Sequence, residues 1–279
     1  MVARARAASS AGLDSLFVGD HHVVPVPYYQ NTAILGRMLA EWRGGVSGAL
    51  YLLPLWHPVL LAEQVATLAS IAPGRFVLQC AIGPDDAQFP GMGISARERA
   101  PRFEACLDLV RRLWAGEVVD CHGFWELRQA RVAPRPPEPI EVWIGAVAPK
   151  AVDRAARLGD GWIASPHLTP QAARDQLALY LERCDAHGRP PGATLIRRDV
   201  YVGESSREAQ QSAGPIVEAG HRGFAPEACV VGDVEEVSEA FGALGRAGYD
   251  EVLVRNLVRD PARALACIER LGAVKQALS

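Results

Sequence analysis

The stretch "HPVLLAEQVATLASIAPGRFVLQCAIG" (residues 57–83) contains the structural unit that repeats along this chain. Its first part has apolar residues at helical spacing, with Pro58 where a first-turn proline belongs and Gly74 just past the end, so it predicts a helix. Its second part, "RFVLQCAIG" (75–83), is a continuous apolar run, typical of a strand buried on both faces of a parallel sheet. A helix that leads into such a strand indicates an α/β fold.

The same alternation of helical patterns and apolar runs continues on both sides of this stretch. Further strands are predicted in "DSLFVG" (14–19), "VSGALYLLP" (46–54), "EVWIGA" (141–146), "GWIASP" (161–166), "TLIRRDVYVG" (194–203) and "EVLVRNLV" (251–258). Two segments break the rhythm: residues 117–140 predict a β-hairpin excursion, and residues 205–231 predict an irregular insertion. Because no glycine-rich phosphate turn is present, we predict a TIM-type (β/α)8 barrel that lacks its first strand, rather than an open doubly wound sheet. The whole chain, 1–279, is predicted to be one domain.

The composition of the chain excludes several classes of protein. Of the 279 residues, 49% are hydrophobic and 22% charged, and the net charge is −3, so we expect neither a nucleic acid nor an anionic membrane as partner. There is no apolar run of membrane-spanning length, and the N-terminus lacks a secretory apolar region, which predicts a cytoplasmic protein. Six cysteines without a C-x-x-C pair indicate reduced thiols rather than a zinc cluster or a disulfide framework.

In a parallel barrel, functional side chains collect where the strands end, and Asp20, His21 and His22 follow a predicted strand directly. Adjacent residues of a strand point to opposite faces, so the two histidines are expected to diverge, which disfavours a shared metal. We predict that His21 acts as a hydrogen-bond donor or general acid oriented by Asp20, and that His22 is a bystander. A structural histidine and a metal-dependent hydrolase built on the three residues remain alternatives.

Other strand ends supply further candidates. Gly48 inside a strand indicates a bulge or a close backbone approach, or simply a packing glycine. The turn "GAVAPK" (145–150) leads into a helix N-terminus, where backbone N–H groups can bind a phosphate; an ordinary tight turn is the alternative. Trp56 either lines a pocket or belongs to the core. Polar side chains also stand at strand ends in His167 and Arg255.

Several longer segments together resemble one family, the bacterial-luciferase-like flavin-dependent oxidoreductases. The segments are "AGLDSLFVGDHH" (11–22), "HPVLLAEQVATLASIAPGRFVL" (57–78), "RFEACLDLVRRLWAGEVVDCHGFWELRQARVAPRPPEPIEVWIGA" (102–146) and "PKAVDRAARLGDGWIASP" (149–166). This family includes FMN-dependent monooxygenases and enzymes that use the deazaflavin coenzyme F420. The resemblance implies a TIM-barrel fold, often dimeric, and an oxidoreductase that transfers hydride or activates O2 on a small organic substrate.

The resemblance also implies roles for individual residues. His21 and Asp20 would lie beside the reactive ring as the catalytic pair. Cofactor contacts would come from Gly48, Ala49, Ala81, Ile82, Gly83, Gly145, Ala146, Val147, Ala148 and Ser165. Substrate contacts would come from Trp56, His167 and Arg255, and no metal is implied.

The chain also departs from part of that family. Deazaflavin sugar-phosphate dehydrogenases carry a glutamate after the fourth-strand glycine, where this chain has Pro84, and a tryptophan in the segment that reads "VVPVPYY" (23–29) here. These departures disfavour a sugar-phosphate dehydrogenase. The resemblance implies F420 or FMN as the cofactor, and the Ala-, Arg- and Gly-rich composition slightly favours the deazaflavin. Residues 84–93 are expected to act as a lid, and a homodimer is expected. A catalytically silent flavin-binding or scaffold protein remains an alternative.

Overall fold

A computed structural model describes residues 1–84 and 87–279 of the chain. The chain divides into two compact units, a smaller unit of residues 15–142 and a larger unit of residues 1–14 and 143–279. None of the helices in these described residues is long and apolar enough to cross a membrane.

The helices and strands follow one another in the predicted alternation. Up to residue 142 the elements are α1 (Val2–Ser10), β1 (Ser15–Val18), α2 (Asn31–Leu39), β2 (Val46–Leu52), α3 (Pro58–Ile71), β3 (Arg75–Ala81), α4 (Gln88–Gly91), α5 (Arg99–Trp114), β4 (Val119–Cys121) and β5 (Leu127–Ala130). Beyond it they are β6 (Glu141–Gly145), α6 (Pro149–Leu158), β7 (Gly161–Ala164), α7 (Pro170–Ala186), β8 (Ala193–Val202), α8 (Ser206–Glu218), β9 (Cys229–Gly232), α9 (Val234–Ala247), β10 (Glu251–Asn256) and α10 (Pro261–Leu278).

In the smaller unit, β1, β2 and β3 form a parallel sheet with β2 in the middle. Helix α3 begins at Pro58, as predicted, and buries one apolar face that includes Leu61 and Val65. The predicted excursion is confirmed as the antiparallel pair β4–β5. The guanidinium of Arg102 on α5 lies 4.7 Å from the ring centroid of Trp125, which ties the hairpin to that helix through a cation–π contact.

In the larger unit, β6, β7, β8 and β10 are parallel, with β9 added along the end of β8. Local sequence sets the helix ends here. Asp233 forms a capping box with Glu236 at the start of α9, and Gly248 ends that helix at φ +105°. A core of apolar side chains from β8, α8, α9 and α10 fills the space between these elements.

The prediction for residues 205–231 needs a correction. Irregular backbone is confined to 219–228, where two short 3-10 turns occur, whereas 206–218 form α8 and 229–232 form β9. Helix α8 is capped at its N-terminus by Ser205, whose side chain accepts the N–H of Glu208 at 3.2 Å. Pro215 inside this helix conceals its periodicity in the sequence.

Candidate active site

Asp20 forms the centre of a hydrogen-bonded cluster in the smaller unit, just beyond the end of β1. Its side chain is 1% exposed, and its Oδ2 atom accepts two hydrogen bonds. The donors are the backbone N–H of Leu52 at 2.9 Å and the indole Nε1–H of Trp56 at 2.8 Å. The carboxylate therefore connects the ends of β1 and β2, which is where a parallel α/β fold carries its functional groups.

The histidine beside Asp20 is His22, not His21, which corrects the prediction. His22 Nε2 lies 3.1 Å from Asp20 Oδ1, a close electrostatic contact whose alignment is not that of a hydrogen bond. The backbone N–H of His22 donates to Gln88 Oε1 at 2.8 Å. His21 instead packs edge-on against the ring of Tyr28 at 5.6 Å. The predicted alternation fails because β1 ends at Val18, so residues 19–22 are not extended strand.

Trp56, which donates to Asp20, is itself positioned by contacts with two other rings. Its ring packs edge-on against Tyr51 at 5.0 Å and against His22 at 5.6 Å. The Tyr51 hydroxyl is 2.9 Å from Thr32 Oγ1, which donates to Gln64 Oε1 at 2.6 Å. Burial, with a smaller contribution from the charge of Asp20, raises the pKa of Tyr51, so this phenol stays protonated. Tyr51, which packs against Trp56, is therefore itself positioned by a chain of polar contacts with Thr32 and Gln64.

Gly48 and Ala49 are buried in the middle of β2, and the register with β1 and β3 runs through them without a shift. The bulge expected here is therefore absent from this described strand. A Cβ at Gly48 would lie 2.2 Å from the carbonyl oxygen of Val77 and 2.8 Å from the Phe17 ring. Gly48 is thus a packing glycine, which was the alternative interpretation.

The end of β3 carries Ala81, Ile82 and Gly83, all half-buried, with Gly83 at φ +77°. Beyond Pro84, residues 85 and 86 of the expected lid lie outside the described residues. The rest of that segment contains α4, which is anchored by the buried side chains of Gln88 and Phe89. Phe89 packs in a small cluster with Leu52 and Leu55. The movement of a lid stays a prediction.

The turn at Gly145–Ala148 presents backbone N–H groups at the start of α6 in the larger unit. Trp162 Nε1–H donates to the Ala146 carbonyl at 3.1 Å, and Gln176 donates to the Val147 carbonyl at 2.7 Å. These two hydrogen bonds engage the carbonyls of the turn. Among residues 1–84 and 87–279, the backbone N–H groups of Val147, Ala148 and Lys150 have no hydrogen-bond acceptor. Residues 148–150 are exposed, so these donors and the positive helix end are accessible to an anion.

The remaining predicted residues of the larger unit are exposed or half-buried at strand ends. Ser165 Oγ is 2.7 Å from His167 Nδ1, and the His167 ring lies 6.2 Å from that of Phe224. Arg255 is exposed near the end of β10.

A second Asp–His pair with a buried carboxylate lies in the larger unit and was not predicted from the sequence. Asp199 on β8 is 1% exposed, and its Oδ2 lies 2.7 Å from His221 Nε2. Arg197 Nε is 3.6 Å from the other carboxylate oxygen, and the Phe224 ring packs edge-on against His221 at 5.8 Å. The available signal was an aspartate inside an otherwise apolar strand, because a buried carboxylate needs a partner. His221 was overlooked because it lies in the segment treated as irregular.

The described residues contain no group of three His, Cys, Asp or Glu side chains placed to hold a metal ion. The metal-dependent hydrolase alternative has no support from the relatives described next either.

Residues 1–253 match the model of the luciferase-like monooxygenase family. Among curated relatives, the F420-dependent glucose-6-phosphate dehydrogenase of Beutenbergia cavernae is 32% identical over 170 residues, covering 56% of this chain and 49% of that protein. The oxygenase component of the flavin-dependent trigonelline monooxygenase of Acinetobacter baylyi is 24% identical over 297 residues, covering 90% of this chain and 81% of the relative. The chain spans about half the length of the first of these relatives.

Among solved structures, the monooxygenase RslO1 of Streptomyces bottropensis superposes with a TM-score of 0.83 at 21% identity, covering 99% of this chain and 92% of the other. A likeness at this identity shows the fold, and it confirms the predicted TIM-type α/β class. The family match extends over most of the sequence. The chain therefore belongs to the luciferase-like monooxygenase family.

Proposed function

We propose that the chain is an oxidoreductase that uses coenzyme F420 or FMN on a small organic substrate. The observation that carries the proposal is the Asp20 cluster at the end of β1, in a chain whose family match covers residues 1–253. The deazaflavin is the first choice, because the F420-dependent relative has the higher identity, 32% against 24%. Glucose 6-phosphate is not proposed as the substrate, because Pro84 stands where the resemblance expects a glutamate.

The residues of the chain fit a phosphate-bearing cofactor of this kind. The turn at 145–148 offers N–H groups that lack protein acceptors, and its small side chains leave the backbone accessible. Ser165 adds a hydroxyl one strand further along the chain. Ala81, Ile82 and Gly83 are proposed as apolar contacts. Gly48 and Ala49 are not retained, because packing accounts for the glycine and Ala49 is fully buried.

When bound, the reduced cofactor supplies the redox chemistry, as hydride transfer or O2 activation, and the protein supplies binding and orientation. His22 is proposed to hold or move a proton, replacing His21 in that role. Its Nε2 faces Asp20, so Nδ1 is the ring nitrogen left for the reaction, and the side chain keeps 11% exposure. Asp20 is a positioning residue, since it contacts His22, Leu52 and Trp56 rather than open space.

The test uses the full chain, titrated separately with F420 and FMN and followed by fluorescence. Turnover is then measured with F420 and a panel of small alcohols, and with reduced FMN, O2 and trigonelline. His22→Gln is expected to lower turnover about 100-fold or more, as for loss of a general acid, with cofactor affinity changed less than about threefold. His21→Gln is the matched control and should keep turnover within about threefold of wild type.

The possible outcomes test the cofactor, the catalytic activity and the role of His22 separately. If neither cofactor binds, the oxidoreductase proposal fails. Binding without turnover on any probe would favour the silent flavin-binding alternative. If His21→Gln is impaired while His22→Gln is not, the assignment of the proton to His22 is wrong although the function stands.

A further inference from the structure

The larger unit contains a cavity of about 300 Å³ between α7, α9 and the paired strands β8 and β9. Its walls are mostly apolar, with contributions from Ala173, Val230, Leu244 and Tyr249. None of the residues predicted or proposed above for the active site is among the described residues that line it. The cavity is therefore a separate feature of this unit.

Arg198 of β8 lines this cavity and is 2% exposed. Its Nη1 reaches the Pro166 carbonyl only at 3.4 Å, a long hydrogen bond. Its Nη2 is buried and has no hydrogen-bond partner in the part of the chain that the structure describes. Burial lowers the pKa of this guanidinium, although an arginine remains charged near neutral pH.

The carboxylates near the cavity do not neutralise Arg198. Glu236 is engaged elsewhere, because its Oε2 accepts the N–H of Asp233 at 3.0 Å and its Oε1 accepts the Ser206 hydroxyl at 3.0 Å. Glu227 lines the cavity but is exposed, and within residues 1–84 and 87–279 it forms no ion pair with Arg198. A buried and unpaired charge is costly, so an anion bound beside Arg198 would lower that cost.

The chemistry of the cavity walls indicates which kind of anion would bind there. A guanidinium presents two parallel N–H groups that match a carboxylate. One buried cation with two glutamates in the lining suits a single negative charge better than a phosphate dianion. The apolar walls require an apolar body, and about 300 Å³ is at the lower end of the range of small-molecule sites.

We propose that this cavity binds a small monocarboxylate with an aliphatic or aromatic body, with its carboxylate on Arg198. The site does not depend on the proposed redox function, since none of the cofactor residues contributes to it.

The test measures binding of octanoate to the full chain by isothermal titration calorimetry, without flavin. Octanamide, which has the same shape and no charge, is the ligand control. Octanoate should bind at least tenfold more tightly than octanamide, since hydrogen bonds between charged partners are the strong ones. Arg198→Met should weaken octanoate at least tenfold, whereas Arg174→Gln, which removes an exposed cation of the same lining, should change it less than about threefold.

A second variant keeps the test independent of how Arg198→Met folds. Ala240→Phe fills the cavity from α9 and leaves Arg198 in place, and it should abolish octanoate binding. Without ligand, Arg198→Met should melt at or above the wild-type temperature, because an apolar side chain replaces an unpaired buried charge. The proposal is overturned if octanoate does not bind at about 10 mM, if octanamide binds equally well, or if binding survives both Arg198→Met and Ala240→Phe.

Discussion

Gly48 is the residue at which packing and ligand binding make opposite predictions. It lies in β2, opposite Phe17 of β1 and Val77 of β3. A Cβ here would lie 2.2 Å from the Val77 carbonyl oxygen, and that oxygen belongs to a strand backbone that cannot rotate away. The Phe17 ring, at 2.8 Å, blocks movement in the other direction. Gly48→Ala therefore forces the centre of the sheet apart.

The cost follows from this geometry. Overpacking a buried site by one methyl group costs about 1–3 kcal/mol, and the obstruction by backbone places Gly48 at the upper end. Alanine restricts the unfolded chain more than glycine and returns about 0.4–1 kcal/mol. The net loss of unfolding free energy is about 2 kcal/mol, which lowers the Tm by roughly 4–8 °C for a chain of this size.

The assay is thermal unfolding of the full chain without flavin, at one scan rate for all variants. Gly36→Ala is the matched control, because Gly36 lies inside α2 and its added Cβ would only touch a Leu68 methyl group at 3.9 Å. That variant should raise the Tm by about 1–3 °C, since alanine favours a helix by about 1 kcal/mol over glycine. A Gly48→Ala protein that melts with wild type but no longer binds flavin would refute the packing argument, and would show that the glycine makes room for a ligand.

The Glu208 carboxyl is partly buried, which alone favours its neutral form, but hydrogen bonds from Ser212 and Tyr201 outweigh this and lower its pKa below 4.5. The ionised Glu208 carboxylate therefore contributes its full stabilisation above the pKa of the unfolded state, and this stabilisation is lost as the pH falls through the lower pKa of the folded state. Below about pH 4.5 the Tm of the wild type should therefore fall more than the Tm of Glu208→Gln. Parallel plots of Tm against pH for the two proteins would contradict this. Asp233→Ala removes the capping box of α9 and should cost about 1 kcal/mol in unfolding free energy, measurable as a Tm decrease of roughly 2–4 °C, and an unchanged Tm would show that the cap is not needed. Trp56→Phe keeps an aromatic ring but removes the 2.8 Å hydrogen bond to the buried carboxylate beside it, so the free energy of unfolding should fall by about 1–2 kcal/mol, measurable as a lower Tm. A loss restricted to turnover would instead assign the indole to the reaction.

The fold was predictable wherever each local signal agreed with its neighbours. Pro58 and the apolar face of α3 mark one helix, and the run at 75–81 marks the strand after it. Helix α8 and strand β9, both within residues 205–231, were not predicted from the sequence for two reasons. Pro215 interrupts the helical pattern, and a four-residue strand is too short to show a period.

The sequence predicted that Asp20, His21 and His22 follow directly after a strand, but it did not predict which histidine contacts Asp20. The sequence predicted that Asp20 orients a neighbouring histidine, and the burial of its carboxylate was not predicted. Which histidine contacts it depends on the backbone beyond Val18, and that path is set by tertiary contacts such as His22 N–H to Gln88, 66 residues away. Local sequence does not encode contacts of that separation.

The two Asp–His pairs of the described residues whose carboxylate is buried differ in how the carboxylate oxygens are hydrogen-bonded. Oδ2 of Asp20 accepts hydrogen bonds from Leu52 and Trp56, and Oδ1 lies 3.1 Å from His22 Nε2 without the alignment of a hydrogen bond. Asp20 is thus suited to hold the groups around it in place. Asp199 gives Oδ2 to His221, while its Oδ1 is buried and has no hydrogen-bond partner among the described residues. Arg197 Nε lies 3.6 Å from this oxygen, beyond the usual hydrogen-bond distance, so an added hydrogen-bond donor is expected to stabilise the Asp199 carboxylate.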